Sequence, residues 1–340
     1  MSLYKDIITY ETDTICRNTN ALYYYLSLGY NSYGISKNRN EVFMALRYDA
    51  GEVITAMITP FNAKREIDYD KAEQIAAHLA DNGSDAILVA GTTGEGPTLT
   101  HEEELELLCS VRRAAAGKVK VIMNAGSNST ATACRTSKLA EKEDVDALLS
   151  VVPYYNKPSQ EGLIAHFSAI AESTSLPVII YNIPSRTGVN MLPETVAKLA
   201  EKYENIVAIK QSYADMDAVT EIKLCCPADF DVYSGDDSLT LPMLSLGARG
   251  VISVASHLLG KEVKSMIRNY KTGEFIAAMN MHKKLYPVMK ALFIAPNPVP
   301  VKAALAHKGV CEEFVRRPLV ELNEEQKTEL FKVLDKFYED

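Results

Sequence analysis

From Gly51 to Val254 the chain repeats one pattern eight times, a short continuous apolar run followed by a segment with helical signals, and this alternation narrows the fold more than any other feature. The runs are VITAM (53–57), AILVA (86–90), VKVIM (119–123), ALLSVV (147–152), PVIIY (177–181), IVAIK (206–210), FDVYS (230–234) and GVISV (250–254). Runs this apolar, with little polar alternation, suit strands buried on both faces, as in a parallel sheet covered by helices. Between them, Thr100 and Glu103 read as a capping box ahead of Leu105, Leu108 and Val111, and Gly83 as the stop of the first helix. Eight such units within about 200 residues predict a closed (β/α)8 TIM barrel of α/β class. A doubly wound sheet has fewer strands and a glycine-rich fingerprint after the first, whereas here the first strand runs into TPFNAKREID.

Three regions follow from the pattern. Residues 1–43 crowd tyrosines among Asn, Ser and Thr without sustained periodicity, and are expected to be an extension that is flexible or dispensable for the chemistry. Residues 44–270 form the predicted barrel. Residues 271–340 carry helical segments around 275–292, 299–307 and 324–338, an expected C-terminal appendage. The net charge of -8 argues against a nucleic-acid partner, which needs clustered cations to displace phosphate counterions. No apolar stretch approaches the 18 or more residues of a membrane helix, so no membrane partner is expected. The six cysteines have no CxxC spacing and read as reduced thiols of a cytoplasmic protein. The six histidines form no HExxH, and no metal is expected.

In a (β/α)8 barrel the chemistry sits at the C-terminal ends of the strands. Here those ends read GTTGEG (91–96), PYYN (153–156), YNIPSRTG (181–188), Lys210 and SGDD (234–237). Lys210 closes the run IVAI and projects among other strands, where desolvation favours the neutral, nucleophilic amine. A lysine at a strand end is as readily a solvated terminus. The threonines and backbone N–H groups of GTTGEG suit a carboxylate, but the segment also makes sense as a glycine-rich turn, and it lacks the GK[ST] ending of a phosphate loop. Arg186, between Pro184 and Gly188, is either a bidentate carboxylate ligand or a surface arginine. Tyr181 and Tyr155 fit proton relay, although a tyrosine near a strand end is more often packing, and His257 reads as a packing or surface histidine.

Taken together, GTTGE, PYYNKPSQEG, YNIPSRTG, AIK and SGDD, in this order and at these strand ends, resemble the dihydrodipicolinate synthase family of pyruvate-dependent class I aldolases. The likeness runs from about Gly51 to the C-terminus, and PSRTG separates the synthases from their relatives. The resemblance implies a lyase of the diaminopimelate route to lysine that condenses pyruvate with L-aspartate 4-semialdehyde. It makes Lys210 the imine-forming lysine, with no other cofactor. Thr92 and Thr93 would hold the pyruvate carboxylate, Gly235 and Ile252 would line its pocket, and Arg186 would bind the semialdehyde carboxylate. Tyr181 and Thr93 would move protons with Tyr155, which reaches in from a neighbouring subunit of a homotetramer built as a dimer of dimers.

The same resemblance places a lysine feedback site at His101, Asn128 and Tyr154. Glu104 and Thr132 stand where one well-known version of that site has histidine and glutamate, which predicts weak lysine inhibition. Gln211 replaces a common glutamate without evident consequence. The rival readings are another aldolase of the same barrel, acting on N-acetylneuraminate or a 2-keto-3-deoxy sugar acid, and a silent barrel that only binds a 2-oxo acid.

Overall fold

The computed structural model describes residues 48–115 and 117–339, together with the backbone of three earlier strands. Those strands, β1 (Ile8–Glu11), β2 (Tyr30–Ile35) and β3 (Glu41–Leu46), form an antiparallel sheet in the order β1-β3-β2. The chain divides into two compact units after Asp49 rather than at 43/44, because β3 runs through that point and pairs with both β1 and β2. The rest of the expected extension lies outside the described residues.

The second unit is a (β/α)8 barrel. Its strands are β4 (Val53–Ala56), β5 (Ala86–Val89), β6 (Lys120–Asn124), β7 (Ala147–Val151), β8 (Val178–Asn182), β9 (Ile206–Gln211), β10 (Asp231–Ser234) and β11 (Gly250–Ser253). They pair in parallel and in sequence, and β11 closes the ring on β4. Each falls within one of the apolar runs or overlaps it. The Thr100–Glu103 box is formed in both directions: the Thr100 N–H donates to Glu103 at 2.9 Å and the Glu103 N–H to the Thr100 hydroxyl at 3.2 Å. Gly83 follows the first helix (Tyr69–Asp81) with a φ of 98°, a left-handed conformation that favours glycine. Helices Phe275–Ala291, Val299–His307 and Glu324–Glu339 complete the C-terminal appendage.

Burial shows which side chains look inward. Val53, Ile87, Val89, Val121, Met123, Leu148 and Val251 belong to one cluster packed under the helices, and Val178, Ile180, Ile206, Ile209 and Val232 to another. The alternate positions, among them Ile54, Leu88, Ile122, Leu149, Ile179, Ala208 and Ile252, therefore fill the barrel interior.

One irregularity in the ladder sets the direction of Lys210. Val178 pairs with Ile206 and both face the helices, but the next residue, Ile179, pairs with Ala208. The extra residue in β9 is a bulge. With strict alternation after Ile206, both Ala208 and Lys210 would point out at the helices; the bulge resets the period and turns them inward.

Candidate active site

Lys210 is 6% exposed and lies in register with Tyr181 on β8 and Tyr233 on β10. Its Nζ sits 4.4 Å from the centre of the Tyr181 ring, so the amine and the phenol share one wall of the mouth. Space for the lysine comes from Gly235, where an added Cβ would stand 3.0 Å from Lys210 Cε, 2.9 Å from Ser212 Cβ and 1.8 Å from Ser212 Oγ. Rotating the serine hydroxyl away would relieve only the last of these. Gly235→Ala is accordingly expected to lower kcat/KM by about 10²-fold, the loss that accompanies a misplacement of roughly 1 Å at a reacting group. Steady-state kinetics on the folded variant check this.

A buried carboxylate braces the strand ends that carry Gly235 and Ile252. The Asp237 carboxylate at the end of SGDD is fully buried and accepts from the N–H groups of Val254 (3.1 Å) and Ala255 (2.9 Å) and from the Ser253 hydroxyl. Burial pushes its carboxyl upward while these three donors pull the other way. The clamp ties the end of β10 to the end of β11, where Ile252 is 1% exposed. His257 is a buried packing residue: its Nε2 accepts from the Ile58 N–H at 3.0 Å, its Nδ1 lies 2.8 Å from the Val254 carbonyl, and burial draws its pKa down to about 4.

Thr93 is 3% exposed, and its hydroxyl accepts a 2.9 Å hydrogen bond from the Asn297 amide. The C-terminal appendage thus reaches the active-site loop directly. Two more links fasten it there. Lys302, on the helix Val299–His307, meets Glu95 of GTTGEG at 2.5 Å, with side chains 0% and 1% exposed. Lys302 also donates to the Phe314 carbonyl at 2.8 Å and lies 4.0 Å from the Phe61 ring centre. Arg316 grips Glu103 through both terminal guanidinium nitrogens, at 2.7 and 2.6 Å, and its backbone N–H donates to Glu95 at 2.8 Å. Burial lowers the pKa of Lys302, and the Glu95 carboxylate opposes that shift.

The remaining residues singled out from the sequence are arranged less tightly. Thr92 is half-buried beside Thr93. Arg186 is exposed, on the single helical turn Pro184–Thr187 closed by Gly188 at a φ of 72°. Tyr155 projects outward, 90% exposed with a φ of 71°. The barrel mouth therefore brings Lys210, Tyr181, Gly235 and Ile252 together and sets Thr93 on a loop pinned by the C-terminal segment. Arg186 and Tyr155 stand on its rim. Among the described residues, no group of three or more His, Cys, Asp or Glu is placed to hold a metal ion.

Comparison with known proteins decides the family. The sequence pattern of the dihydrodipicolinate synthetase family matches residues 49–337. The chain belongs to that family. The 4-hydroxy-tetrahydrodipicolinate synthase of Desulforamulus reducens is 51% identical over 273 residues, covering 80% of this chain and 92% of the relative. The enzyme of the same name from Bacillus subtilis is 50% identical over 280 residues, covering 82% and 97%. Among solved structures, the dihydrodipicolinate synthase of Cyanidioschyzon merolae with lysine bound superposes with a TM-score of 0.84 at 47% identity, covering 85% of this chain and 98% of that one. The family is one of lyases in lysine and diaminopimelate biosynthesis. Among the described residues, no helix is long and apolar enough to cross a membrane.

The positions expected to form a lysine site fall into two local groups. Asn128 donates to the Tyr154 carbonyl at 3.2 Å, while His101 Nδ1 lies 3.5 Å from Glu104. Burial raises the pKa of Glu104, and the imidazole opposes it. Thr132 turns its hydroxyl to Ser129 at 3.2 Å, the residue that caps the helix Thr130–Lys142.

Several participants escaped the sequence reading. Asn297 and Lys302 lie some 200 residues from their partners, and only the oddity of a lysine inside the apolar run VPVKAAL signals the second. Gln211 also has a place: it is 1% exposed, accepts from the Asn182 amide at 3.1 Å, and shares that amide with Asn190. This neutral network pins the stretch after Tyr181 to the stretch after Lys210.

Proposed function

We propose that Lys210 is the nucleophile of a 4-hydroxy-tetrahydrodipicolinate synthase and condenses pyruvate with L-aspartate 4-semialdehyde. The observation that carries this reading is the buried amine of Lys210 over the Tyr181 ring, in a space that Gly235 keeps open. The amine adds to the carbonyl of pyruvate and water leaves, giving an imine; loss of a methyl proton gives an enamine, whose carbon attacks the aldehyde. Attack of the semialdehyde amine on the imine carbon then closes the ring and frees Lys210. The imine supplies the electron sink, so the reaction needs no other cofactor.

Thr92 and Thr93 hold the pyruvate carboxylate. Because the Thr93 hydroxyl accepts from Asn297, its own proton remains to be donated toward the mouth. Tyr181 relays protons at the imine, and Ile252 closes the apolar wall. Arg186, free of the core on its helical turn, binds the carboxylate of the semialdehyde. Tyr155, projecting almost entirely into solvent, completes the relay of a neighbouring subunit, which calls for at least a homodimer; two such dimers make the proposed tetramer, a cytoplasmic enzyme.

A coupled assay tests this: turnover is expected with pyruvate plus aspartate semialdehyde, and none with N-acetylneuraminate or 2-keto-3-deoxy sugar acids. The reverse pattern would contradict it. His101, Asn128 and Tyr154 supply part of a lysine site, but Thr132 stands where a glutamate would pair with the ammonium group, and the Glu104 carboxylate that replaces a histidine lies against His101. Lysine below the millimolar range is expected to leave turnover nearly unchanged, and strong inhibition in that range would refute this.

A further inference from the structure

Ser212 lies two residues beyond Lys210, where the ladder still continues: its N–H donates to the Asn182 carbonyl at 2.9 Å, and the Gly235 N–H donates to the Gln211 carbonyl at 2.9 Å. Side chains alternate along a strand, so with Gln211 turned outward to Asn182, Ser212 shares the inward column of Lys210, one step nearer the mouth. Its position is fixed by Gly235, which has Ser212 Oγ and Lys210 Cε on the same side of its Cα, so the hydroxyl and the amine-bearing carbon flank one small space.

The Ser212 hydroxyl is buried there without a hydrogen-bond partner among the described residues. Buried hydroxyls are nearly always paired, and leaving one unpaired costs free energy. In Ser253 and Ser234, nearby on the barrel rim, the hydroxyl is used: one donates to Asp237 and the other to the Asp236 carbonyl. Ser212 makes no such contact, yet its hydroxyl flanks the same small space as the Lys210 side chain.

We infer that Ser212 is a further substrate-contacting residue, whose hydroxyl hydrogen-bonds an oxygen of the 2-oxo acid as it joins Lys210. The inference rests on Lys210 being the imine-forming lysine. A 2-oxo acid offers both a carboxylate and the carbonyl oxygen that becomes a hydroxyl when the amine adds, and a serine O–H can donate to either. Binding then supplies the partner that the unliganded site lacks, so the contact favours the adduct over the empty enzyme.

The test is Ser212→Ala, with Ser212→Thr as the variant that keeps the hydroxyl. Two quantities are read: the pyruvate concentration that half-saturates borohydride trapping, and the melting temperature without ligand. Ser212→Ala is expected to raise the half-saturating concentration by about three- to tenfold, the worth of one hydrogen bond. Its melting temperature without pyruvate should be equal to or above that of the parent, since an unpaired buried group has been removed. Ser212→Thr should restore the affinity. An unchanged half-saturation overturns the inference, and so does a lower melting temperature, which would mean that the hydroxyl supports the fold. Failure of the parent protein to form any adduct would instead refute the role of Lys210, so the two failures are distinguishable.

Discussion

Lys210→Ala is expected to lower kcat by about 10⁴- to 10⁶-fold, the range seen when a covalent nucleophile is removed. Nothing else at the mouth can take its place. Tyr181 faces the amine with its ring, and the other side chains the barrel places around it, Tyr233, Ser212 and Ile252, carry no amine. The fold should survive, because Lys210 makes no ion pair among the described residues and the barrel ladder runs through its backbone. The check is steady-state turnover alongside the melting temperature of the variant. Loss of activity with an unchanged melting temperature is the expected result.

The second large effect concerns stability. Lys302→Met leaves the Glu95 carboxylate buried with its strongest partner gone, since the two side chains are 0% and 1% exposed and 2.5 Å apart. Removing one member of such a pair costs about 3–5 kcal/mol, because the charge left behind cannot regain its hydration. Chemical denaturation should therefore show a loss of that order. The double variant Glu95→Gln, Lys302→Met leaves no uncompensated charge and should recover part of it. Activity should fall as well, because Glu95 belongs to the GTTGEG loop that carries Thr92 and Thr93. The pair thus links the C-terminal helices to the loop that carries Thr92 and Thr93 as well as to the fold.

These two residues also mark how far the sequence could be read. Each strand of the barrel is a continuous apolar run that excludes most alternatives, so the eight strands and their order were legible, and the strand ends pointed at Lys210, Tyr181 and Gly235. What turns Lys210 inward was not. It depends on the bulge opposite Val178 and Ile179, and a bulge is a property of pairing between β8 and β9 rather than of either run alone. The boundary after Asp49 was missed for a similar reason, since β3 became visible only through its partners.

Long-range polar contacts were equally hidden. Asn297 reaches Thr93 and Lys302 reaches Glu95 only once the C-terminal helices have docked, and no spacing rule connects positions so far apart. The same holds for Ser212. Its neighbour Gln211 stood out by comparison with the family, yet the serine acquires meaning only when Gly235 is seen beside it. Motifs at the strand ends, and their resemblance to a family, thus singled out the groups proposed to carry the chemistry, while the contacts that aim and brace them emerged from packing.

The most direct measurement is reduction with borohydride in the presence of pyruvate, followed by mass spectrometry of peptides. A single pyruvate-derived adduct on the peptide bearing Lys210, absent when pyruvate is withheld, is the predicted result. A folded protein that yields no adduct, or one modified on a different lysine, would contradict the account.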